Sequence, residues 1–398
     1  MTGSTTEKSE KGAQFPWGAL LALAAAGFLA IITETIPAGL LPELSEGLGI
    51  TESAAGQLVT LYALGSVIAA IPLVAATRTL GRRQVLLGAV TGLLVFNTIT
   101  ALAPWFWLIL VARFAAGAAA ALIWGVLAGF ARRLVPVAQQ GRALAVSGIG
   151  QPIALAAGVP LGTLFASVVD WRWVFAGISV AAALLAGWIL AVVPEVAGDA
   201  PDSSDGERRS LWSVFALPGV LPVLGVALVW VLAHNTLYTY ISPVLTATGL
   251  NSAIGLAVFG VFSFLGITVT GLVIDRSLRS TVLIALGVTV IAAVALANPS
   301  VGAVVACVAV AVWGLGFGGA PSLLQTALAD RAGDRVDAAQ SVFVTVFNAA
   351  VAGGGLVGGG LLAMTGTASS LGWVAAVLVL VGLGAVASAH RAIPAGKR

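Results

Sequence analysis

The chain has 398 residues, of which 59% are hydrophobic and only 9% are charged. Soluble domains carry about 25% charged residues, so the composition excludes a soluble globular protein and predicts a polytopic membrane protein. The single cysteine, Cys307, excludes an intrachain disulfide. The formal net charge of +3 is small and gives no reason to expect nucleic-acid binding.

Twelve apolar runs predict an all-α integral membrane protein, because about 20 apolar residues are enough to cross a bilayer as a helix. A polar gap after the sixth run predicts a linker between two six-helix halves. The runs are 17–42, 54–76, 85–103, 105–131, 143–166, 172–193, 214–243, 252–274, 281–298, 301–328, 339–363 and 370–390. The expected organisation is a tail over 1–16, an N-terminal half over 17–193, a cytoplasmic linker over 194–213, a C-terminal half over 214–390 and a tail over 391–398.

Basic residues gather on one side of the predicted helices. With the N-terminus in the cytoplasm, every basic residue except Arg113 and Arg172 falls in a cytoplasmic segment, which is 17 of the 19. The outer loops then carry mainly acids, among them Glu43, Glu46 and Glu52. This asymmetry matches the positive-inside rule. We therefore expect a multi-pass membrane protein with both termini in the cytoplasm.

Glu34 is the only acid in the first apolar run. A carboxylate in hydrocarbon is costly, so it is expected to face a cavity, find a partner or be protonated. Pro37, three residues on, removes a backbone donor and favours a kink beside the acid. Glu34 is therefore the first candidate for a functional group.

The two halves look like weak repeats of each other. Glu34 precedes Pro42 by eight residues in the first run, and Asn235 precedes Pro243 by the same spacing in the seventh. Repeats of this kind usually place the substrate site at their interface near mid-membrane, and one half rocks against the other during transport.

Short stretches with glycine, proline or polar residues interrupt the apolar runs over nearly the whole chain. They are Thr33–Gly39, Gly56–Val59, Gly81–Arg83, Arg113–Gly117, Gly158–Gly162, Trp171–Arg172, Tyr238–Tyr240 and Asn348–Gly360. In these stretches the chain resembles the major facilitator superfamily, and within it the twelve-span drug–proton antiporters that include bacterial sugar, nucleoside and chloramphenicol exporters. The resemblance implies two pseudo-symmetric six-helix halves and proton-driven export.

Two stretches depart from the pattern of that family. The loop before Gly81 carries no acid, whereas the family usually has an aspartate there; the intact acid–arginine pair is Asp275-Arg276 in the second half. In the fifth run, Val159 separates Gly158 from Pro160, whereas the antiporter motif normally has glycine and proline adjacent. The missing aspartate bears on gating, and the separation of glycine and proline bears on antiport.

Glu34 and Arg113 are predicted to carry proton coupling. Each lies about eight residues from the outer end of its helix, so both lie roughly 12 Å below the outer face. The resemblance implies that both helices line a central cavity, where the two charges can meet. A motion that changes their distance or hydration would shift the pKa of Glu34, as proton-coupled export requires. The alternatives are a static ion pair that fixes helices 1 and 4, or no contact.

Polar and aromatic residues inside the runs are candidate substrate contacts, because ligand pockets are mainly apolar with a few placed polar groups. His234, Asn235 and Tyr238 form a polar face on the seventh helix; His234 is also a candidate second proton site. The alternative is that these groups only bond neighbouring helices. The other candidates are Gln57, Tyr62, Trp124, Gln151, Trp313 and Asn348.

The basic loops are candidate gates. Arg78, Arg82 and Arg83 are placed to pair with acids at the cytoplasmic ends and latch the outward-facing state. Asp275 and Arg276 are the candidate gating residues of the second half. Orientation by positive charge is a sufficient alternative explanation. Glycine-rich fifth and eleventh helices further suggest close approach of the two halves in one state.

The sequence thus predicts a secondary active transporter that exchanges a small organic compound for protons, and not an enzyme. It is expected to need no cofactor or metal besides the proton gradient, to bind substrate, protons and lipid but no nucleic acid, and to act as a monomer. Proton symport or uniport of a sugar or nucleoside is an alternative. An intramembrane enzyme or sensor fits poorly, because the two histidines, His234 and His390, lie far apart.

Overall fold

The computed structural model describes residues 15–198 and 214–388. The tails, most of the linker and His390 lie outside these ranges. Within them, twelve helices are long and apolar enough to span a membrane, which confirms the predicted all-α fold. They are α1 Trp17–Gly39, α2 Glu52–Thr77, α3 Arg82–Leu102, α4 Phe106–Arg133, α5 Val137–Ala166, α6 Trp171–Val192, α7 Val220–Tyr238, α8 Ser252–Ile274, α9 Arg276–Leu296, α10 Pro299–Ala332, α11 Val336–Thr365 and α12 Ser369–Ser388.

Helices α3 and α6 run in opposite directions, as contacts between their ends show. Arg83 at the start of α3 donates to the carbonyl of Val193 just after α6 ends. Arg172 at the start of α6 donates to the carbonyl of Ala101 near the end of α3. We call the side where α1 begins and α12 ends the termini face, and the other side the opposite face.

Two short helices that the sequence analysis missed follow α1 and α7 on the opposite face. Leu41–Leu48 is amphipathic, with Leu41 and Leu44 buried, and Ile241–Ala247 occupies the equivalent place in the second half. The apolar runs 17–42 and 214–243 merged the starts of these helices with α1 and α7. Their equivalent positions support the repeat relation between the halves.

Helix α5 contains one π-helical turn, Ala154–Gly158. Pro160 has no backbone N–H and its ring clashes with the carbonyl four residues earlier. Widening the turn before it relieves that clash, and such π turns often mark functional regions of helices. The turn lies at the stretch in which Val159 separates the glycine from the proline.

Contacts between the halves concentrate toward the opposite face. A Cβ on Gly355 of α11 would overlap the side chain of Thr60 on α2, so these helices touch through a glycine. Toward the termini face the side chains of α2 are no longer buried. Ile68 is 59% exposed, and none of the described side chains between Ala69 and the end of α2 is buried. The halves are thus closed at the opposite face and splay toward the termini face.

Glycines also bring α2 and α4 together inside the N-terminal half. A Cβ on Gly117 would collide with the backbone carbonyl of Tyr62, and a Cβ on Gly65 would collide with that of Phe114. Backbone atoms cannot give way as side chains can. This close approach sets the position of α4, which carries Arg113.

We predict that Gly117→Ala destabilises the protein by about 1–3 kcal/mol, the usual cost of overpacking. Gly129→Ala in the same helix is the matched control, because a Cβ there meets no atom within 4 Å. Thermal unfolding of the purified protein in detergent should show a lower apparent melting temperature for Gly117→Ala only. Equal melting temperatures for the two variants would contradict the packing described for α2 and α4.

Candidate functional site

Arg113 lies at the junction of α1, α2 and α4, and its side chain is fully buried. Nη2 donates to the carbonyl oxygens of Thr33 at 2.5 Å and Glu34 at 3.5 Å. Nε donates to the carbonyl oxygen of Leu58 at 3.3 Å. Backbone carbonyls of α1 and α2 therefore solvate the positive charge, and the guanidinium ties α4 to both helices.

Tyr62 supports the same junction. Its ring lies under the guanidinium, with the Arg113 Cζ 4.8 Å from the ring centroid, a cation–π distance. Its hydroxyl donates to the Ala30 carbonyl of α1 at 2.9 Å. Tyr62 is only 1% exposed, so in this conformation the predicted substrate contact is a packing contact around Arg113.

Glu34 is partly exposed, and its carboxylate forms no hydrogen bond or ion pair within the described part of the chain. It lies within electrostatic range of Arg113 and of the Tyr238 hydroxyl on α7. Arg113 Nη1 is buried and likewise has no hydrogen-bond partner. The two charges thus lie at the same depth, as expected, but the direct ion pair is not formed in this conformation.

Three predicted substrate contacts meet in the C-terminal half. His234 and Tyr238 lie one turn apart on α7, and Trp313 approaches from α10; the His234 ring centroid lies 5.2 Å from each of the other two. Phe259 of α8 and Phe317 of α10 complete what we call the aromatic cluster. The sequence analysis missed both phenylalanines, because single aromatic residues in apolar runs carry no signal of their own.

The other predicted substrate contacts do not join the aromatic cluster. The side-chain amides of Asn235 and Asn348 donate to carbonyls one turn back in their own helices. Trp124 packs near Gly27 of α1, and Gln151 is exposed on α5. Their roles stay predictions. Within residues 15–198 and 214–388, no group of three or more histidine, cysteine or acidic side chains is suited to hold a metal ion.

The predicted gating loop contacts its own half. The backbone amide of Arg83 donates to the Glu195 carboxylate at 3.1 Å, and the amide of Arg82 donates to the Val196 carbonyl at 2.8 Å. These bonds fix the start of α3 to the chain after α6. Of the other predicted gating residues, Arg78 follows the end of α2, Arg276 is exposed at the start of α9, and the side chain of Asp275 lies outside the described residues.

Hydrogen bonds seal the halves together at the opposite face. The Tyr240 hydroxyl lies 3.0 Å from the Gly355 carbonyl and 3.3 Å from the Ser53 carbonyl, and it accepts from Gln57 Nε2 at 3.2 Å. Ser53 Oγ donates to the Gly359 carbonyl at 2.8 Å. Gln57, predicted as a substrate contact, is thus part of this seal. The sequence indicates no sealing role for Tyr240, because contacts between halves leave no periodic signal.

A second bond crosses the seam nearby, from Ser242 Oγ to the Ala38 carbonyl at 3.0 Å. Beside it lies a cavity of 430 Å³ lined by both halves, including Glu43, Thr163 and Asn251. Glu43 Oε2 is buried there without a hydrogen-bond partner. Burial raises the pKa of the Glu43 carboxyl, a backbone hydrogen bond opposes this, and the Glu46 charge adds to it.

A family model described as the Major Facilitator Superfamily matches residues 23–355, which is most of the chain. The chain belongs to the major facilitator superfamily. Membership of this family indicates a transporter, not an enzyme.

Individual relatives agree with the family at the level of the fold. The chain is 28% identical to a Pseudomonas aeruginosa protein named "Transcription regulatory protein OpdE" over 96% of both chains. A POT family transporter in complex with 5-aminolevulinic acid superposes with a TM-score of 0.75 at 12% identity, covering 96% of each chain. The nucleoside transporter NupG superposes with a TM-score of 0.73 at 14% identity, covering 93% of this chain and 97% of its own.

A further structure is a bacterial homolog of the human lysosomal transporter Spinster in an inward-facing, unoccupied conformation. It superposes with a TM-score of 0.64 at 17% identity, covering 94% of this chain and 95% of its own. These likenesses show the major facilitator fold, and the family match indicates a transporter of some substrate.

We predict that Tyr240→Phe opens the opposite face, because it removes the hydroxyl shared by α2, α11 and Gln57. A net hydrogen bond contributes about 1 kcal/mol, so the open population should rise about fivefold. Spin labels at the exposed positions Val168 and Ala247, in a Cys307→Ser background, report the distance across the seam by pulsed electron paramagnetic resonance.

Ser242→Ala should act in the same direction as Tyr240→Phe. Thr248→Ala is the matched control, because its buried hydroxyl donates to the Leu245 carbonyl in the short helix that it follows, within the same half. A distance distribution that shifts equally in all three variants would contradict the seal.

We also predict that acid favours the closed opposite face. Closure buries the Glu43 carboxyl and raises its pKa, so protonation stabilises the closed state, and this contribution is lost as pH rises through that pKa. With the same labels, the open population of the wild type should fall as pH falls. Glu43→Gln should flatten this dependence, whereas Glu46→Gln, exposed on the same short helix, should largely keep it. An unchanged profile in Glu43→Gln would refute the assignment.

Proposed function

We propose that this major facilitator exports a small organic compound in exchange for protons, and that Glu34 carries the proton. One observation supports this most directly. An unpaired carboxylate and an unpaired guanidinium nitrogen, Arg113 Nη1, lie close together inside the membrane-spanning part of the protein. Intramembrane ionisable groups commonly mark ion pathways.

The pair works as a two-position element in this proposal. Arg113 is held by carbonyls of α1 and α2, so it stays in place when the halves move. Deprotonated Glu34 is attracted to Arg113 Nη1. Protonated Glu34 carries no charge, so this attraction is lost. Rocking of the halves changes the hydration of Glu34 and thereby moves its proton between the two faces.

The expected orientation in the membrane supports export as the direction of transport. The basic side chains of Arg82, Arg83, Arg132, Arg133 and Arg142 lie at the termini face, which the positive-inside rule assigns to the cytoplasm. The site is then open to the cytoplasm, from which an exporter takes its substrate. Localisation in a bacterial inner membrane, action as a monomer and independence of any cofactor complete the proposal.

The regulatory name of the Pseudomonas relative is compatible with transport. Export of a compound that induces gene expression changes transcription without contact between the transporter and DNA. Proton symport or uniport into the cell is the alternative within the same fold.

The test uses inside-out vesicles with an acid interior that a pH-sensitive dye reports. A panel of drugs, nucleosides and sugars is added to vesicles holding wild type, Glu34→Gln or Glu46→Gln. We expect at least one compound to dissipate part of the gradient with wild type and Glu46→Gln, and not with Glu34→Gln, because only the interior carboxylate exchanges protons for substrate.

Two results would overturn the proposal. Equal dissipation with Glu34→Gln and wild type would place the proton path elsewhere. Movement of labelled compound without any change in the gradient would identify a uniporter.

A further inference from the structure

The aromatic cluster, His234, Tyr238, Phe259, Trp313 and Phe317, brings five rings from α7, α8 and α10 into contact. Phe259 lies 5.1 Å from Tyr238 and 4.8 Å from Trp313, between ring centroids. The proton-coupling argument makes no use of these rings. The Tyr238 hydroxyl lies within electrostatic range of Glu34, so the cluster lies near the proposed proton-coupling residue.

The cluster holds three polar atoms that have no hydrogen-bond partner. They are His234 Nδ1, the Tyr238 hydroxyl and Trp313 Nε1, in side chains that are 8%, 4% and 1% exposed. A buried polar group without a partner costs about 1–3 kcal/mol, and native structures contain few of them. Three in one cluster beside a transport site indicate groups kept for a ligand.

Phe317 occupies the position that a ligand ring would take. Its ring lies face to face with His234, with centroids 3.5 Å apart and planes 4° apart. Unlike the other cluster residues it is partly exposed. It lies between Gly316 and Gly318, beside the break in α10 where one helical segment ends at Gly318 and the next begins at Ala320. A side chain at such a break can be displaced at low cost.

Charge narrows the class of ligand. Arg113 is fully buried, and the proposed function assigns its one unpaired nitrogen, Nη1, to Glu34, so this guanidinium leaves no positive charge for an anionic ligand in the described part of the cluster's surroundings. Rings dominate the cluster and polar atoms are few, so the many hydroxyls of a sugar would lose hydrogen bonds there. Trp313 Nε1 is a donor only, and the Tyr238 hydroxyl can donate, so the ligand must supply acceptors.

We propose that the aromatic cluster binds a neutral, planar heteroaromatic compound that stacks on His234 in place of Phe317. Its ring nitrogen or carbonyl oxygen accepts hydrogen bonds from Trp313 Nε1 and the Tyr238 hydroxyl. This inference rests on the proposed function, because it names the class of compound that the exporter carries.

The test is equilibrium binding to the protein in lipid nanodiscs by titration calorimetry, with no proton gradient. The probes are isoquinolin-1-one and its ring-saturated lactam, which share the acceptor but not the flat ring, together with glucose and tetraphenylphosphonium. We expect isoquinolin-1-one to bind at least tenfold more tightly than the other three.

Variants that remove the polar atom but keep an aromatic ring separate a ligand contact from a packing role. Trp313→Phe and Tyr238→Phe should each weaken binding of isoquinolin-1-one about five- to tenfold, and Phe317→Ala should tighten it by removing the competing ring. Trp188→Phe, on α6 and 38% exposed, is the control and should bind as the wild type does.

The inference is overturned if isoquinolin-1-one binds no better than the saturated lactam, if the phosphonium or glucose binds more tightly, or if nothing binds. It is also overturned if Trp313→Phe and Tyr238→Phe bind like the wild type. These outcomes are distinct from failure of the proposed function: Glu34-dependent proton exchange with a non-aromatic compound would retain export and remove only this substrate class.

Discussion

The buried guanidinium of Arg113 is the constraint on which the N-terminal half depends. A bare charge at this depth would be very unfavourable, so the helices around it must supply oxygen atoms. They do so through the backbone carbonyls of Thr33, Glu34 and Leu58, while the ring of Tyr62 covers the guanidinium. The glycine contact at Gly117 lets α4 come close enough to α2 for these bonds to form.

Solvation by carbonyls has a consequence for Glu34. In a permanent ion pair, the Glu34 carboxylate would stay deprotonated and could not take up a proton during each transport cycle. Because the carbonyls already hold Nε and Nη2 of Arg113, Glu34 stays unpaired and partly exposed, and Nη1 remains available to it. In our account, the N-terminal half carries the proton and the C-terminal half binds the substrate. Asn235, at the repeat position of Glu34, brings no charge to the C-terminal half, whose rings suit a neutral substrate.

The sequence predicted the features that follow from composition along one helix. Apolar length located all twelve spans, and the rarity of charge inside them singled out Glu34 and Arg113 at matching depth. It did not predict which atoms would meet: Arg113 bonds backbone carbonyls, which are present at every residue and carry no sequence signal. The roles of Tyr240 and Phe317 were not predicted, for a related reason. Their importance comes from contacts between helices and between halves, and those depend on the conformation.

Infrared difference spectroscopy of substrate binding tests the central claim most directly, because it reports the protonation of individual carboxyl groups without transport. It would use a substrate identified in the vesicle assay and compare the wild type with Glu34→Gln and Glu46→Gln. Our account predicts that binding changes the protonation of one carboxyl group in the wild type and in Glu46→Gln, and that this signal is absent from Glu34→Gln. The same carboxyl signal in Glu34→Gln would contradict the account and assign proton coupling to another group.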